Sequence, residues 1–266
     1  MKRSALIGLA GILGIAFLSA CGPTQPMSDA IRNVSLPDVR KHLDAGFDAN
    51  GPATEHGSGN TLHYAAMTAR QALKDDASGE KRQAYQNIVK WLIGAGAGLE
   101  ALNDNGKTPL HLAVLEEADA VAEVLLEYGA DVNARSKPEG MTPLYIDLSS
   151  FDPNDKYDTG LLELLLARGA DVNIANADGV TPLHRAATNG MPEACKLLLA
   201  RGANVNARDK DGRTPVTCCA VNDKRAAETV DLLLAHGADV TIPDNRGYVV
   251  NQAFIMERVQ RRAGGR

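Results

Sequence analysis

Aromatic residues are scarce in this 266-residue chain: one Trp, six Tyr and four Phe, or 4%. Aromatic rings dominate the buried area of most globular cores. Their scarcity points instead to a core built in thin layers of Leu, Val and Ala, each needing only its neighbours. Positive charge is not in excess either. The chain carries 28 Lys and Arg against 33 Asp and Glu, which argues against the phosphate-neutralising surface that nucleic acid demands. Of four cysteines, at Cys21, Cys195, Cys218 and Cys219, no two have a Cys-x-x-Cys spacing, so they frame neither a zinc nor a dithiol redox site. Gly57-Ser58-Gly59 lacks both the Gly-Lys-Ser/Thr ending of a phosphate-binding loop and the Gly-x-Ser-x-Gly frame of a nucleophile elbow. No constellation supports catalysis, and the chain is expected to be neither an enzyme nor a holder of a cofactor, metal or small-molecule substrate.

Repetition is what the chain has in abundance. Thr181-Pro182-Leu183-His184-Arg185-Ala186-Ala187 recurs as Thr108-Pro109-Leu110-His111-Leu112-Ala113, Thr142-Pro143-Leu144-Tyr145 and Thr214-Pro215-Val216-Thr217, and without its proline as Thr61-Leu62-His63-Tyr64-Ala65-Ala66. A second series keeps step, in Gly129-Ala130-Asp131-Val132-Asn133, Gly169-Ala170-Asp171-Val172-Asn173, Gly202-Ala203-Asn204-Val205-Asn206 and Gly237-Ala238-Asp239-Val240, each glycine following an apolar run such as Leu197-Leu198-Leu199. A third, Gly59, Gly106, Gly140, Gly179, Gly212 and Gly247, stands just ahead of the Thr-Pro sites. Threonine before proline is a helix N-cap followed by a residue suited to the first helical position, and glycine after a leucine run is a left-handed stop. One unit therefore reads as a Gly turn, a first helix, a second helix of leucines, a glycine stop and an extended hairpin. The shortest spacing, from Thr181 to Thr214, is 33 residues.

These motifs at this period resemble the ankyrin repeat family over roughly residues 30–260. The resemblance implies an all-α solenoid of helix-turn-helix-β-hairpin units, with five full repeats between capping half-repeats, filling residues 30–266 as one domain. The degenerate pair Ala30–Val34 and Asp38–Ala45, and a first helix that enters at Gly247 and runs out near Arg262, are the expected caps.

The first twenty residues follow other rules: Lys2 and Arg3, an apolar stretch from Ala5 to Leu18, then Leu18-Ser19-Ala20-Cys21. This reads as a secretory signal peptide over residues 1–20, too short to cross a ~30 Å hydrocarbon core comfortably, with a non-cleaved anchor as the alternative. Leu-Ser-Ala-Cys resembles the lipobox of bacterial lipoproteins, which implies cleavage before Cys21, lipid on Cys21 and, with Gly22 next, an outer-membrane protein facing the periplasm. Residues 21–29 then form a lipidated tether. In an oxidising periplasm Cys195 is open to pairing with either Cys218 or Cys219.

The repeats are unequal. Gly106 to Gly129 and Gly179 to Gly202 each span 23 residues, but Gly59 to Gly96 spans 37, Gly140 to Gly169 spans 29 and Gly212 to Gly237 spans 25. The extra residues fall between the helices of repeats one, three and five, near 69–85 and 149–159 in the larger two, and Phe151 and Tyr157 make the second a candidate binding edge. Family resemblance places the rival surface on the hairpin tips, whose variable side chains include Asn105, Lys107, Lys137, Met141, Asn176, Val180, Lys210, Arg213, Arg246 and Tyr248. The tips are favoured because their side chains vary on a uniform frame.

His63, His111 and His184 share one repeat position, so their side chains run parallel and cannot converge on one metal ion. They are expected to bond backbone groups. Tyr145 replaces such a histidine, and Asp147 an alanine, in repeat three. The reading that follows is a monomeric, lipid-anchored module binding one protein partner. Bacterial ankyrin lipoproteins of similar design serve as immunity proteins against secreted toxins, including lipases; an envelope-stress adaptor for a periplasmic enzyme such as catalase is the alternative.

Overall fold

The computed structural model describes residues 25–54, 58–74, 76, 78–149, 157–219, 224–247 and 249. They form helix pairs in sequence order: α1 (Met27–Arg32) with α2 (Leu36–Asp44), α3 (Thr61–Leu73) with α4 (Glu80–Gly94), α5 (Pro109–Leu115) with α6 (Asp119–Glu127), α7 (Pro143–Asp147) with α8 (Gly160–Ala167), α9 (Pro182–Thr188) with α10 (Pro192–Ala200), and α11 (Pro215–Cys218) with α12 (Lys224–Ala235). First helices stack on first helices, α1, α3, α5, α7, α9 and α11 in turn, while α4 packs on α6 and α10 on α12. The result is the all-helical solenoid that the repeats predict.

Helices α5, α7 and α9 begin where a threonine cap satisfies a free N–H group. The Thr108, Thr142 and Thr181 hydroxyls accept from the amides of His111, Tyr145 and His184 at 3.4, 3.2 and 3.4 Å, and a proline opens each helix. In α3 the cap is Asn60, and Thr61 takes the place of proline. The repeat register of that unit is therefore one residue earlier than the threonine series suggests. In α11 the box is half-made: Thr217 Oγ1 accepts from the Thr214 amide at 3.0 Å, while the buried Thr214 hydroxyl has no partner among the described residues.

Second helices end as their leucine runs predict. At Gly202, φ is +83°, and the next amide, Ala203, donates back to the Leu198 carbonyl at 3.0 Å. A Cβ there would meet nothing within 4 Å, so the left-handed backbone, rather than space, selects glycine. Between layers the core is aliphatic: Leu62, Ile88, Leu92, Leu110, Leu125, Leu162, Leu165, Leu183, Leu198 and Leu233 are fully buried. A ladder of asparagines ties the layers together. Asn133, Asn173 and Asn206 donate Nδ2 to the carbonyls of Gly169, Gly202 and Gly237 and accept through Oδ1 from the amides of Asp171, Asn204 and Asp239.

Four details differ from the sequence reading. No β-strand is present among the described residues: the fingers close with two backbone bonds, such as Asn103 N–H to the Lys107 carbonyl at 3.0 Å and Gly106 N–H to the Asn103 carbonyl at 2.8 Å, and a side chain takes further amides. The large insertion of repeat one lengthens both helices rather than only separating them, since α3 and α4 are 13 and 15 residues long against 7 and 9 in α5 and α6. The N-terminal cap is a whole helix pair, not a half-repeat. It also starts earlier than residue 30, with Met27 and Ser28 already buried; residues 27–29 of the expected tether therefore belong to α1. The signal segment, Cys21 and the C-terminal cap after residue 249 lie outside the described residues.

Candidate protein interface

The hairpin tips, or fingers, rest on one polar side chain apiece, buried at Asn103, Ser136 and Asp209 and half-buried at Asn176. Asn103 Oδ1 accepts the amides of Asn105 and Lys107, both at 3.0 Å; Asn176 Oδ1 accepts those of Asp178 and Val180; Asp209 Oδ1 accepts those of Asp211 and Arg213. Ser136 plays the part in the longer third finger, taking the Met141 amide at 3.1 Å. Neighbouring fingers join through single backbone bonds, from Lys137, Ala177, Lys210 and Asn245 amides to the carbonyls of Gly106, Glu139, Asp178 and Asp211, at 2.7 to 2.9 Å. With these amides satisfied internally, the outward side chains are released from structural duty.

Not every candidate at the tips shares that freedom. Asn105, Lys137 and Arg246 are exposed, and Lys210, also exposed, pairs with Asp178 at 3.7 Å. Lys107 and Val180 are half-buried, and Met141 packs on the core edge. Asn176 belongs to the finger frame and is not a free contact. Arg213 is exposed but committed: its Nε and Nη2 each lie 2.8 Å from Asp209 Oδ2, and its Nη2 lies 3.1 Å from Asp211. The Asp209 hydrogen bond, ahead of its charge and that of Asp211, holds the guanidinium above its ordinary value. Tyr248 and Phe151 lie outside the described residues.

Tyr157 is turned inward rather than offered to a partner. It packs against the core, and its hydroxyl donates to the carboxylate of Asp147. Asp147 is buried where the sister helices carry Ala65, Ala113, Ala186 and Cys219. Burial, reinforced by Asp119, Glu117 and Asp158, pushes its carboxyl up to about 7, and burial likewise raises the Tyr157 phenol.

The three histidines act as the parallel-vector argument requires. Nδ1 of each accepts the amide of its cap residue, and Nε2 faces a carbonyl of the next finger: His63 to Lys107 at 2.9 Å, His111 to Met141 at 2.9 Å and His184 to Arg213 at 3.0 Å. Both contacts fit the neutral ring with its proton on Nε2, and burial lowers all three imidazoles. At Gly59 a Cβ would stand 2.6 Å from the His63 ring, so glycine there makes room for this contact. Among the described residues no group of three His, Cys, Asp or Glu is arranged to hold a metal ion. Cys195, Cys218 and Cys219 are free thiols, so the bridge left open by the sequence is not formed; burial pushes Cys219 up to about 12 and raises Cys195 as well. Such thiols are poor nucleophiles.

The sequence reading missed two features on the first-helix face beside the fingers. Met67 and Leu115, at equivalent positions of α3 and α5, are 51% and 40% exposed. On α9, Arg185 lies over the Tyr145 ring, 5.2 Å from its centroid, and donates to its hydroxyl at 2.7 Å; Asn176 Nδ2 reaches the same hydroxyl at 3.3 Å. Aligning each repeat from its cap residue would have placed both.

The family model for ankyrin repeats (3 copies) matches residues 80–150 and 154–244, more than half of the chain. Similar proteins include the putative ankyrin repeat protein FPV031 of fowlpox virus, 36% identical over 40% of this chain and 30% of that one. The regulatory protein NPR5 of Arabidopsis thaliana is 32% identical over 46% of this chain and 24% of its own. The chain thus spans less than a third of the length of these relatives. In structure it is similar to the ankyrin repeat domain of Bcl-3, with a TM-score of 0.69 over 90% of this chain and 99% of that one, at 22% identity. At that identity the likeness establishes the fold.

Proposed function

Because the chain belongs to the ankyrin repeat family, whose members are typically protein-interaction modules without chemistry of their own, we propose that it is a non-catalytic protein that captures one protein partner on its fingers and first helices. The observation that carries this reading is the division of labour in the fingers. Buried Asn103, Ser136 and Asp209 and half-buried Asn176 take finger amides, leaving Asn105, Lys137, Lys210 and Arg246 exposed on a fixed frame. Pre-organised backbone lowers the ordering cost of association, and the exposed apolar pair Met67 and Leu115 supplies dehydratable area next to it.

The finer reading is an immunity protein, anchored by lipid at Cys21 to the periplasmic side of the outer membrane, that blocks a secreted antibacterial toxin such as a lipase. Leu18-Ser19-Ala20-Cys21 supports the anchor. Since α1 starts at Met27, five tether residues at ~3.3 Å each hold the solenoid within about 17 Å of the lipid, which suits a target that attacks the membrane. The test is cross-linking in intact cells with a photoreactive residue at position 137, 210 or 246, with mass spectrometry of the mature N-terminus. A single secreted hydrolase cross-linked to the fingers, and acylated Cys21, are expected. A cross-linked periplasmic enzyme such as catalase would replace the immunity reading with the adaptor one; an unmodified Cys21 thiol would remove the anchor.

A further inference from the structure

Repeat three departs from its sisters at two places that touch. Asp147 ends α7 at a position that is apolar in every sister first helix, and Tyr157, two residues before the Thr159 cap of α8, meets it from the far end of the insertion. An acid in an apolar niche is stabilised by losing its charge, or by a donor that compensates it. Among the described residues the Tyr157 hydroxyl donates to Asp147, and the charged groups that raise its carboxyl are all negative. Glu117 and Asp119 come from the α5–α6 turn and Asp158 from the lead-in to α8. Three cations among the described residues are engaged elsewhere. Arg82 of α4 pairs with Glu123 at 2.9 Å, Arg70 of α3 with Glu117 at 2.9 Å, and Arg185 of α9 with Tyr145. His111 of α5 and His184 of α9 keep both ring nitrogens on backbone groups.

We propose that Asp147 and Tyr157 form a proton-controlled clasp between α7 and the segment leading into α8, closed while Asp147 carries a proton and loosened when it ionises. A protonated Asp147 shares a neutral hydrogen bond with the phenol and leaves no charge to face the three carboxylates. Once ionised, it gains by hydration, and the least costly route to water is withdrawal of Tyr157, which sits at a helix entrance rather than within a helix. Burial has already lifted the Asp147 carboxyl to about 7, so the change falls in a range that an extracytoplasmic compartment samples. The clasp bears on the edge opposite the fingers and is independent of the proposed partner site.

Hydrogen exchange of the full chain between pH 5.5 and 8.5, corrected for intrinsic exchange, tests this. Amides of residues 157–161 are expected to lose at least tenfold in protection as pH rises, while those of α9 stay constant. Asp147→Ala, which installs the sister-repeat residue, and Asp147→Asn should both abolish the pH dependence. The Asp147 titration, read by carboxyl carbon NMR, should coincide in pH with that loss of protection. A flat wild-type profile, or an unchanged profile in Asp147→Ala, overturns the clasp. Both readouts are independent of partner binding, so failure of the interface proposal leaves them intact.

Discussion

His184 Nε2 lies 3.0 Å from the carbonyl oxygen of Arg213, so one imidazole joins the cap of its own repeat to the finger of the next. Gln at this position keeps one of the two contacts, and His184→Gln is expected to cost about 1 kcal/mol, the net value of a typical hydrogen bond. Chemical denaturation at pH 8 measures it.

The three imidazoles also set an acid limit. Burial holds each below the ordinary histidine value, so as pH falls the unfolded chain takes up these protons first. Their stabilisation is complete above about pH 6.5 and is lost as pH drops through the lowered folded values. Asp147 has the opposite sign, its folded value of about 7 lying above its ordinary 3.8; its contribution is full below 3.8 and lost as pH rises through 7. In an Asp147→Ala background, urea unfolding should therefore show stability falling from pH 8 to pH 5, and replacing all three histidines with Gln should flatten that slope. An unchanged slope would mean the imidazoles titrate as exposed groups.

Core and ladder should separate in size. Leu198 is fully buried, and Leu198→Ala is expected to cost about 2–5 kcal/mol. Asn173 is exposed and bonds Gly202 and Asn204 across the repeat boundary, so water can replace its partners and Asn173→Ala should cost only about 1 kcal/mol. Equal losses in urea titration would contradict this ranking.

Most of the helices were legible because their signals are local. Thr-Pro at 108, 142 and 181 caps a helix wherever it stands, and a glycine after Leu197-Leu198-Leu199 stops one. What escaped the sequence depends on contacts across repeats. Asn60 replaces a threonine as cap, which a search for Thr-Pro cannot detect. Tyr157 reads as an exposed anchor in a polar loop until Asp147, ten residues earlier, is seen to receive its hydroxyl. Arg213 reads as a free cation, yet Asp209 owes its burial to the finger fold and only then captures the guanidinium.

That capture makes Arg213 a poor probe of binding. Arg213→Glu would set a third carboxylate beside Asp209 and Asp211 and remove an ionic hydrogen bond, at a cost of about 1.5–3 kcal/mol. Lys210→Glu and Arg246→Glu should leave stability within about 0.5 kcal/mol. Against an acidic partner this pair should slow association and reduce its salt dependence, because rim charges act on encounter. Stopped-flow association at two ionic strengths checks this; equal rates for wild type and the pair would take charge steering away from the fingers.

Met67 and Leu115 test the first-helix side of the interface. Both are large, apolar and about half exposed, so their truncation to Ala opens no cavity and should change unfolding free energy by less than about 0.5 kcal/mol. If the partner covers them, the same change removes dehydrated area at the contact, and the double variant should weaken affinity at least tenfold, or about 1.4 kcal/mol. Buried contacts act through dissociation, so the loss should appear in the off-rate, unlike that of the finger lysine and arginine. Surface plasmon resonance with the captured partner separates the two rates. Unaltered dissociation from the Met67→Ala, Leu115→Ala variant would confine the interface to the fingers and leave the first helices outside it.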